Sequence, residues 1–270
     1  MKIFPLNLIK RNISAIIILI GGSSDSVEKG ALSNCSLISL NQKLKATNYS
    51  FNLHIPRRSP SIFNFKCGHL FGNGGFIFGG YDGNECLNQI AKIEEIEPHN
   101  VNLLSPLPFG LKNATALPSL DKQKIWIIGG WDGNKTQKTI LEYNIKNQTT
   151  KFCHFLPYPL ECHAVAFPKI INSKGIGFII GGFDGIGLRS EILIINLNNG
   201  NILEEINNVK LLKPKENCGA TCFCIDGEKE FLAVFGGLLQ ESPWLRREEN
   251  FEKLETLDIS GRNRPAVICL

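Results

Sequence analysis

Glycine doublets recur along this chain at a nearly constant interval, and they limit its possible folds more than any other feature. Successive doublets lie about 50 to 58 residues apart and span almost the whole 270-residue sequence. A period of this length is typical of repeat architectures, in which each repeat needs its neighbours to bury a core. The doublets are Gly21-Gly22, Gly79-Gly80, Gly129-Gly130, Gly181-Gly182 and Gly236-Gly237.

Each doublet follows a short apolar run, such as Ile125–Ile128 before Gly129. Short runs of β-branched and aromatic residues predict strands that are buried on both faces. A second apolar stretch precedes each run across a turn, and two more strands are predicted downstream. Each unit is therefore predicted to be a four-stranded antiparallel sheet without a helix, and five such sheets packed radially would bury one another. The predicted units are 1–56, 57–108, 109–159, 160–213 and 214–270.

The downstream strands have repeatable positions after the doublets. The third strand is predicted from the apolar pattern in four units, and the fourth strand of the third unit is predicted at Thr149–Phe155. A proline-bearing loop then leads to the next unit. The predicted third strands are Asn34–Leu40, Leu87–Ile93, Ser190–Leu197 and a strand that includes Ile140–Asn144.

The two ends of the sequence allow alternatives. Ala15–Ile20 loosely resembles the apolar part of a secretion signal, but the run is short and ends in a doublet, so a strand is predicted. Lys2–Ile9 is a candidate first strand of the first unit. Pro265–Leu270 is either the last strand of the fifth unit or a strand that closes the ring against the first unit.

The doublets are predicted to be structural, because a residue without Cβ permits unusual dihedral angles and close approach of a neighbouring backbone. The Asp-Gly that follows three of them is typical of turns. The complete phrases are "GGYDGN", "GGWDGN" and "GGFDGI", which begin at Gly79, Gly129 and Gly181.

With these phrases the chain resembles the kelch-repeat family of β-propellers, and it is most similar to the propellers of kelch-like substrate adaptors. The motif combines an apolar strand, the doublet, a downstream Tyr and then a Trp; here the Tyr is kept only as Tyr143, and Phe152 takes the Trp position in the third unit. The resemblance implies an all-β propeller, with five blades for five doublets. Aliphatic residues take the Tyr position elsewhere, namely Ile38, Ile93, Ile194 or Ile195, and Leu257.

Composition narrows the class of function. The chain is 43% hydrophobic and 20% charged, which predicts a sizeable core, and its net charge of +4 is spread along the sequence, which disfavours nucleic-acid binding. Nine cysteines without regular spacing are interpreted as core residues in a reducing compartment, although Cys222 and Cys224 would share one face of a strand. A cytoplasmic protein without a membrane span is therefore expected.

Catalytic patterns are incomplete in this sequence. Neither a complete GxGxxG nor a GxxxxGK[ST] motif occurs, and the five histidines are dispersed. Kelch-like propellers that resemble galactose oxidase need copper ligands from Tyr and His, and the four tyrosines offer no convincing set. We therefore expect no enzymatic activity, no cofactor and no metal, with a copper-oxidase-like or secreted propeller as the alternative of another class.

Binding of another protein is the function that remains, because loops on a rigid scaffold carry recognition. The loops after the doublets and the loops that join the units should emerge on one face, and Arg57 and Arg58 in such a loop are candidates for clamping an acidic peptide. The insertion of the fifth unit adds a tryptophan beside arginines. The candidate contacts are Arg57, Arg58, Tyr81, Asp82, Asn84, Trp131, Asp132, Lys135, Phe183, Asp184, Trp244 and Arg246.

The resemblance implies a setting for this binding. Kelch-like adaptors recruit substrates to cullin-type ubiquitin ligases through BTB and BACK domains that precede the propeller, and this sequence shows no such region, so a fragment of an adaptor is one expectation. A stand-alone kelch protein that binds actin is the alternative. The expected partner is a protein or a substrate peptide.

Overall fold

The computed structural model of the chain describes residues 15–24, 30–40, 46–64, 75–93, 101–168, 175–205, 210–225, 229–239 and 266–269. Every regular element in these ranges is a β-strand, and no helix occurs among them, so the all-β prediction is confirmed. The strands are β1 (Ala15–Ile20), β2 (Asn34–Leu40), β3 (Ala46–Asn52), β4 (Ser61–Asn64), β5 (Gly75–Phe78), β6 (Ile90–Ile93), β7 (Val101–Leu104), β8 (Thr115–Pro118), β9 (Lys124–Ile128), β10 (Thr139–Asn144), β11 (Thr149–Phe155), β12 (Ala164–Ala166), β13 (Ile176–Ile180), β14 (Ile192–Asn196), β15 (Ile202–Glu205), β16 (Lys215–Ile225), β17 (Lys229–Leu239) and β18 (Ala266–Cys269).

Four sheets of one design follow each other along the chain, and each contains four antiparallel strands. Their orders are β18-β1-β2-β3, β4-β5-β6-β7, β8-β9-β10-β11 and β12-β13-β14-β15. Strands β16 and β17 form a long antiparallel hairpin. The four-stranded unit is thus confirmed for the second, third and fourth units, whereas residues 240–265 of the fifth lie outside the described part of the chain.

The first sheet combines strands from both ends of the sequence. Strand β18 pairs antiparallel with β1, with Ala266 opposite Ile20. Of the two alternatives predicted for Pro265–Leu270, the structure therefore shows the pairing against the first unit. In this sheet β18 takes the place that β4, β8 and β12 take in theirs. The predicted strand Lys2–Ile9 lies outside the described residues.

Two predicted third strands, Asn34–Leu40 and one that includes Ile140–Asn144, match β2 and β10, and the predicted fourth strand matches β11. Two others begin later than predicted. Strand β6 starts at Ile90 because the preceding residues bond to the doublet: Gly79 N–H donates to the carbonyl of Gln89, and Leu87 N–H donates to that of Gly80. Strand β14 starts at Ile192 for the same reason, since the N–H of Gly181 donates to Glu191.

Apolar clusters lie between consecutive sheets. Strand β9 contributes alternating residues to two of them: Ile125 packs with Phe76 of the second sheet, and Trp126 packs with Ile179 of the fourth. Two further clusters join the first sheet to the second and the fourth sheet to the hairpin. The second, third and fourth sheets are therefore buried on both faces, as the continuous apolar runs predicted.

The downstream Tyr of the motif belongs to this core. Tyr143 is fully buried, and its ring meets those of Phe76 and Phe78 edge to face, with centroids 5.4 Å and 5.5 Å apart. Burial raises the pKa of its hydroxyl to about 12. At the same position after the doublet, Ile93 and Ile195 are buried in the neighbouring clusters. The position is thus a core position between sheets, with or without an aromatic ring.

The first strands of the sheets lie beside one another. Strand β18 contacts β4, β4 contacts β8, β8 contacts β12, and β12 contacts β16. Because the strands of each sheet run in order away from this series, the joining loops and the doublets of successive sheets lie next to each other. This placement builds the candidate site.

Candidate interaction surface

Four of the doublets connect their own sheet to the loop that enters the next one. In the third sheet, the N–H of Gly130 donates a 2.9 Å hydrogen bond to the carbonyl of Leu160. A Cβ at Gly129, where φ is +57°, would lie 2.1 Å from that carbonyl oxygen, so a side chain does not fit. We call this contact a joint, and it agrees with the structural role predicted for the doublets. Equivalent bonds run from Gly22 to Arg57, from Gly80 to Leu111 and from Gly182 to Lys215.

The joining loops are also bonded to one another. Four residues of these loops have φ between 51° and 56°, namely Ser59, Asn113, Cys162 and Asn217. The first three lie two positions before β4, β8 and β12, and Asn217 lies near the start of β16. The N–H of Asn113 donates to the carbonyl of Ser59, Cys162 donates to Asn113, and Asn217 donates to Cys162, over 2.8 to 3.0 Å. These bonds hold four consecutive joining loops side by side. We call the face that carries these loops and the doublets the doublet face.

An aspartate fixes the turn after three of the doublets. Asp132 Oδ1 accepts hydrogen bonds from the N–H groups of Asn134 and Lys135, both over 2.8 Å. Burial alone raises the pKa of the Asp132 carboxyl, but these two N–H groups and the Gln137 amide outweigh it, so the pKa is lowered. Asp82 and Asp184 make the same pair of bonds in their own loops. The three candidate aspartates therefore order the loop backbone, as Asx turns do.

The aromatic residue after each of these doublets pairs with the joining loop of its own sheet. The backbones of Trp131 and Lys112 exchange two hydrogen bonds, of 2.8 and 3.0 Å. The same exchange links Tyr81 with Arg58 and Phe183 with Glu161. The two predicted sets of loops thus lie together on one face, and each aromatic residue lies beside the side chain three positions before the first strand of its sheet.

Cations and aromatic rings alternate across two of these loops. The Arg58 guanidinium carbon lies 4.8 Å from the centroid of the Tyr81 ring. The Lys112 ammonium lies 4.9 Å from the centroid of that ring and 4.3 Å from the centroid of the Trp131 ring. These separations are within the range of cation–π attraction. All four side chains are half-buried, so they are held in place and still reach solvent. We call Arg58, Tyr81, Lys112 and Trp131 the cation–aromatic row.

In the fourth sheet, the position equivalent to Arg58 and Lys112 is acidic and is occupied by Glu161. Glu161 is buried, and its carboxylate accepts hydrogen bonds from Asn113 Nδ2 over 2.7 Å and from Thr136 Oγ1 over 3.0 Å. In the same unit, Arg189 Nη1 lies 3.6 Å from Asp184 Oδ2, and the guanidinium carbon lies 4.0 Å from the centroid of the Tyr158 ring. The doublet face is therefore cationic and aromatic at the second and third sheets and mixed in charge at the fourth.

Arg57 was predicted to be a contact for a partner protein, and its burial contradicts this prediction. Its side chain is only 1% exposed, and its guanidinium Nη1 donates a 3.0 Å hydrogen bond to the carbonyl of Gly79. Burial lowers its pKa to about 10, so it remains protonated at neutral pH. In the joining loop, Arg57 takes the place that buried Leu111 and Leu160 take in the next two. It is a residue of the joint between the first and second sheets.

The other candidates fall into three groups. Asn84 and Lys135 are exposed at the tips of the turns, and Phe183 is half-buried against Glu161. Trp244 and Arg246 lie outside the described residues. Lys112, which bridges two rings of the row, was not among the predicted contacts. Its position three residues before β8 matches the position of Arg58 before β4, so an alignment of the joining loops would have indicated it.

The opposite face carries the tight turns of the sheets. In the third sheet the turn between β8 and β9 and the turn between β10 and β11 are bonded, since Ile145 N–H donates to the carbonyl of Gln123 over 3.0 Å. Lys122 and Lys146 belong to these two turns, and Lys146 is exposed. We call this the turn face. Its two lysines equal Arg58 and Lys112 in number and charge, and they lie at the opposite ends of the strands from the cation–aromatic row.

A thiol lies beside the cation–aromatic row, since Cys86 Sγ is 3.4 Å from the carbonyl oxygen of Trp131. Burial raises the pKa of the Cys86 thiol to about 11, which keeps it protonated and a poor nucleophile near the row. In the part of the chain that the structure describes, no three His, Cys, Asp or Glu side chains are grouped as a metal site would require. The described residues also include no helix of the length and apolarity needed to cross a membrane.

Comparison with known proteins gives no match to a family model and no match to a curated protein.

Proposed function

We propose that the chain is a kelch-type β-propeller of five blades, in which β18 closes the ring by completing the first blade. Three observations support this architecture. Four doublets make the same joint to the following sheet, the first strands contact one another in succession, and β18 takes the inner place beside β1. The hairpin β16–β17 is then the inner half of the fifth blade.

The proposed function is non-enzymatic recognition of another protein by the doublet face. The cation–aromatic row carries this proposal, because Arg58, Tyr81, Lys112 and Trp131 come from four separate loops yet form one ordered surface. Trp, Tyr and Arg are the residue types enriched at interface hot spots. Side chains already held by the backbone lose little conformational entropy on binding, which favours affinity.

The resemblance to kelch-like adaptors supplies the proposed setting, a cytoplasmic protein whose propeller recruits a substrate to a cullin-type ubiquitin ligase. The doublet face would contact a segment of that substrate. Arg58 and Lys112 would meet its acidic or polar groups, while the exposed parts of the Tyr81 and Trp131 rings would meet its apolar groups. The ligase connection itself would need a domain other than the propeller.

A pull-down with the intact chain tests the function, followed by affinity measurement for each recovered protein. We expect Arg58→Glu with Lys112→Glu to weaken binding at least tenfold, because reversal removes two attractive charges and all three cation–π contacts of the row. The control is Lys122→Glu with Lys146→Glu, which reverses the same number of charges on the turn face. Equal affinity of both double variants for every recovered partner would refute recognition by the doublet face.

A further inference from the structure

The outer strand of the third sheet carries two exposed aromatic side chains on one face. On β11, Phe152 is 57% exposed and Phe155 is 60% exposed. Residues three apart in a regular strand point to opposite faces, but a bulge shifts the register here, so that Phe152 lies opposite Leu141 and Phe155 opposite Thr139. Both rings therefore lie on the side that faces the second sheet. Phe152 was predicted to take the place of the motif Trp, and the structure leaves it largely open to solvent.

These rings extend the buried core outward. The Phe152 ring stacks on Phe109, with centroids 6.0 Å apart, and Phe109 packs against the cluster between the second and third sheets. Phe155 lies beside Lys138, whose ammonium is 5.6 Å from the ring centroid. The result is an apolar patch that is continuous with the core and is bordered by a cation.

The backbone beside this patch is an unpaired strand edge. Strand β11 is the last strand of its sheet and, among the described strands, pairs only with β10. An open edge presents N–H and C=O groups that accept an added strand, and proteins normally protect such edges with charge. The two exposed phenylalanines of β11 instead place apolar surface beside the open edge. The outer strands β7 and β15 each expose one large apolar side chain, Leu103 and Leu203.

The other face of β11 is cationic. Lys151 is exposed and makes a 3.2 Å ion pair with Glu142. Glu142 is also paired with Lys124 over 3.2 Å, so one carboxylate serves two ammonium groups and a positive charge remains. A strand added to β11 would place alternate side chains beside the phenylalanines and beside Lys151. Its apolar residues would meet the first set, and its acidic residues would meet the second.

We propose that the open edge of β11 is a second interaction site, which binds an extended segment of another protein with alternating apolar and acidic residues. The segment adds to the third sheet as a fifth strand, with its apolar side chains against Phe152 and Phe155 and its acidic side chains toward Lys151. A second copy of the chain is a poor occupant, because pairing of two β11 strands brings lysines together. The site is separate from the cation–aromatic row.

Selection from a display library of random 12-residue peptides on the full chain tests this site. We expect the selected peptides to alternate apolar and acidic residues. Their affinity should fall at least tenfold in Phe152→Ser with Phe155→Ser, and severalfold in Lys151→Glu. The matched control is Leu203→Ser, which removes an apolar side chain of similar exposure from the outer strand of the fourth sheet, and it should bind the peptides as the unmodified chain does.

Two results would overturn the proposal. One is the absence of peptides enriched for the stated pattern, or affinities that are the same in the phenylalanine double variant. The other is concentration-dependent dimerisation of the unmodified chain that the double variant abolishes, since the occupant would then be a second copy. Arg58→Glu with Lys112→Glu should leave peptide affinity unchanged, so this test succeeds or fails independently of the doublet face.

Discussion

Gly129 in the third sheet and Gly236 in the hairpin share a backbone conformation but differ in their surroundings. Their φ angles are +57° and +65°. A Cβ at Gly129 would lie 2.1 Å from the Leu160 carbonyl oxygen, whereas a Cβ at Gly236 would meet no described atom within 4 Å. The second glycines are alike: a Cβ at Gly130 or at Gly237 would lie 2.8 or 2.9 Å from a carbonyl oxygen of its own sheet.

The comparison separates two reasons for a glycine at these positions. The left-handed φ applies to both Gly129 and Gly236. The close approach of the next loop is present at Gly129 and is missing from the described surroundings of Gly236. The first glycine of a doublet therefore has a left-handed φ with or without a neighbouring sheet, and the doublet becomes a joint when another sheet lies against it.

The largest expected effect comes from adding a methyl group at the two glycines. Gly129→Ala should lower the free energy of unfolding by about 3 kcal/mol, because left-handed strain and overpacking against Leu160 add together. Gly236→Ala should lower it by about 1 kcal/mol, from backbone strain alone. Urea unfolding of both variants measures the difference. Equal losses would show that the joint at Gly129 contributes nothing beyond the backbone conformation.

Acid should weaken the joint beside Gly129 through His163. This ring is buried, its Nε2 lies 2.5 Å from Thr115 Oγ1, its Nδ1 has no hydrogen-bond partner among the described atoms, and its Cε1 lies 3.3 Å from the place of a Cβ at Gly129. Burial lowers its pKa from 6.5 to about 3. Below pH 6.5 the unfolded chain binds a proton that the folded chain does not, so stability falls as the pH decreases toward 3.

The expected slope is about 1.4 kcal/mol for each pH unit below about pH 6. It is obtained by comparing the unmodified chain with His163→Gln, in which this contribution should be absent. His54→Gln is the control for the loss of a histidine as such, because His54 is exposed. If His163→Gln has the same pH dependence as the unmodified chain, His163 is already accessible to protons in the folded state.

A smaller loss of stability is expected when the aspartate of the Asp-Gly turn is removed. This turn follows Gly129-Gly130 but does not follow Gly236-Gly237. Asp132→Ala removes the acceptor of two backbone N–H groups and should lower the free energy of unfolding by about 1 kcal/mol, as the loss of similar side-chain caps does. Asn134→Ala in the same turn is the control and should change it by less than about 0.5 kcal/mol, because that side chain is exposed. A change of under 0.5 kcal/mol for Asp132→Ala would mean that the turn forms without its aspartate.

The repeated strands and doublets could be predicted from sequence because their signals are local. An apolar run followed by two glycines predicts a strand in every unit, and a strand is present at each of these runs. Arg57 could not be placed in this way. Its loop is polar in composition, and its burial depends on the neighbouring sheet that packs over it, as Leu111 and Leu160 show at the same position.

The cation–aromatic row was predicted only in part, for a similar reason. Arg58, Tyr81 and Trp131 were recognised as residues of loops on one face. The place of Lys112 between two rings depends on contacts between different sheets, which a single unit does not reveal. The exposure of Phe152 was likewise not predicted from its motif position.

Closure of the first sheet by β18 is the central claim of this account, and hydrogen exchange tests it most directly. The amides of β1 should be protected in the whole chain, since β1 lies between β18 and β2. Removal of residues 266–270 should reduce protection in β1 at least tenfold more than in β9, which keeps both of its neighbouring strands. Equal changes in β1 and β9, or no change in β1, would contradict closure by the C-terminal strand.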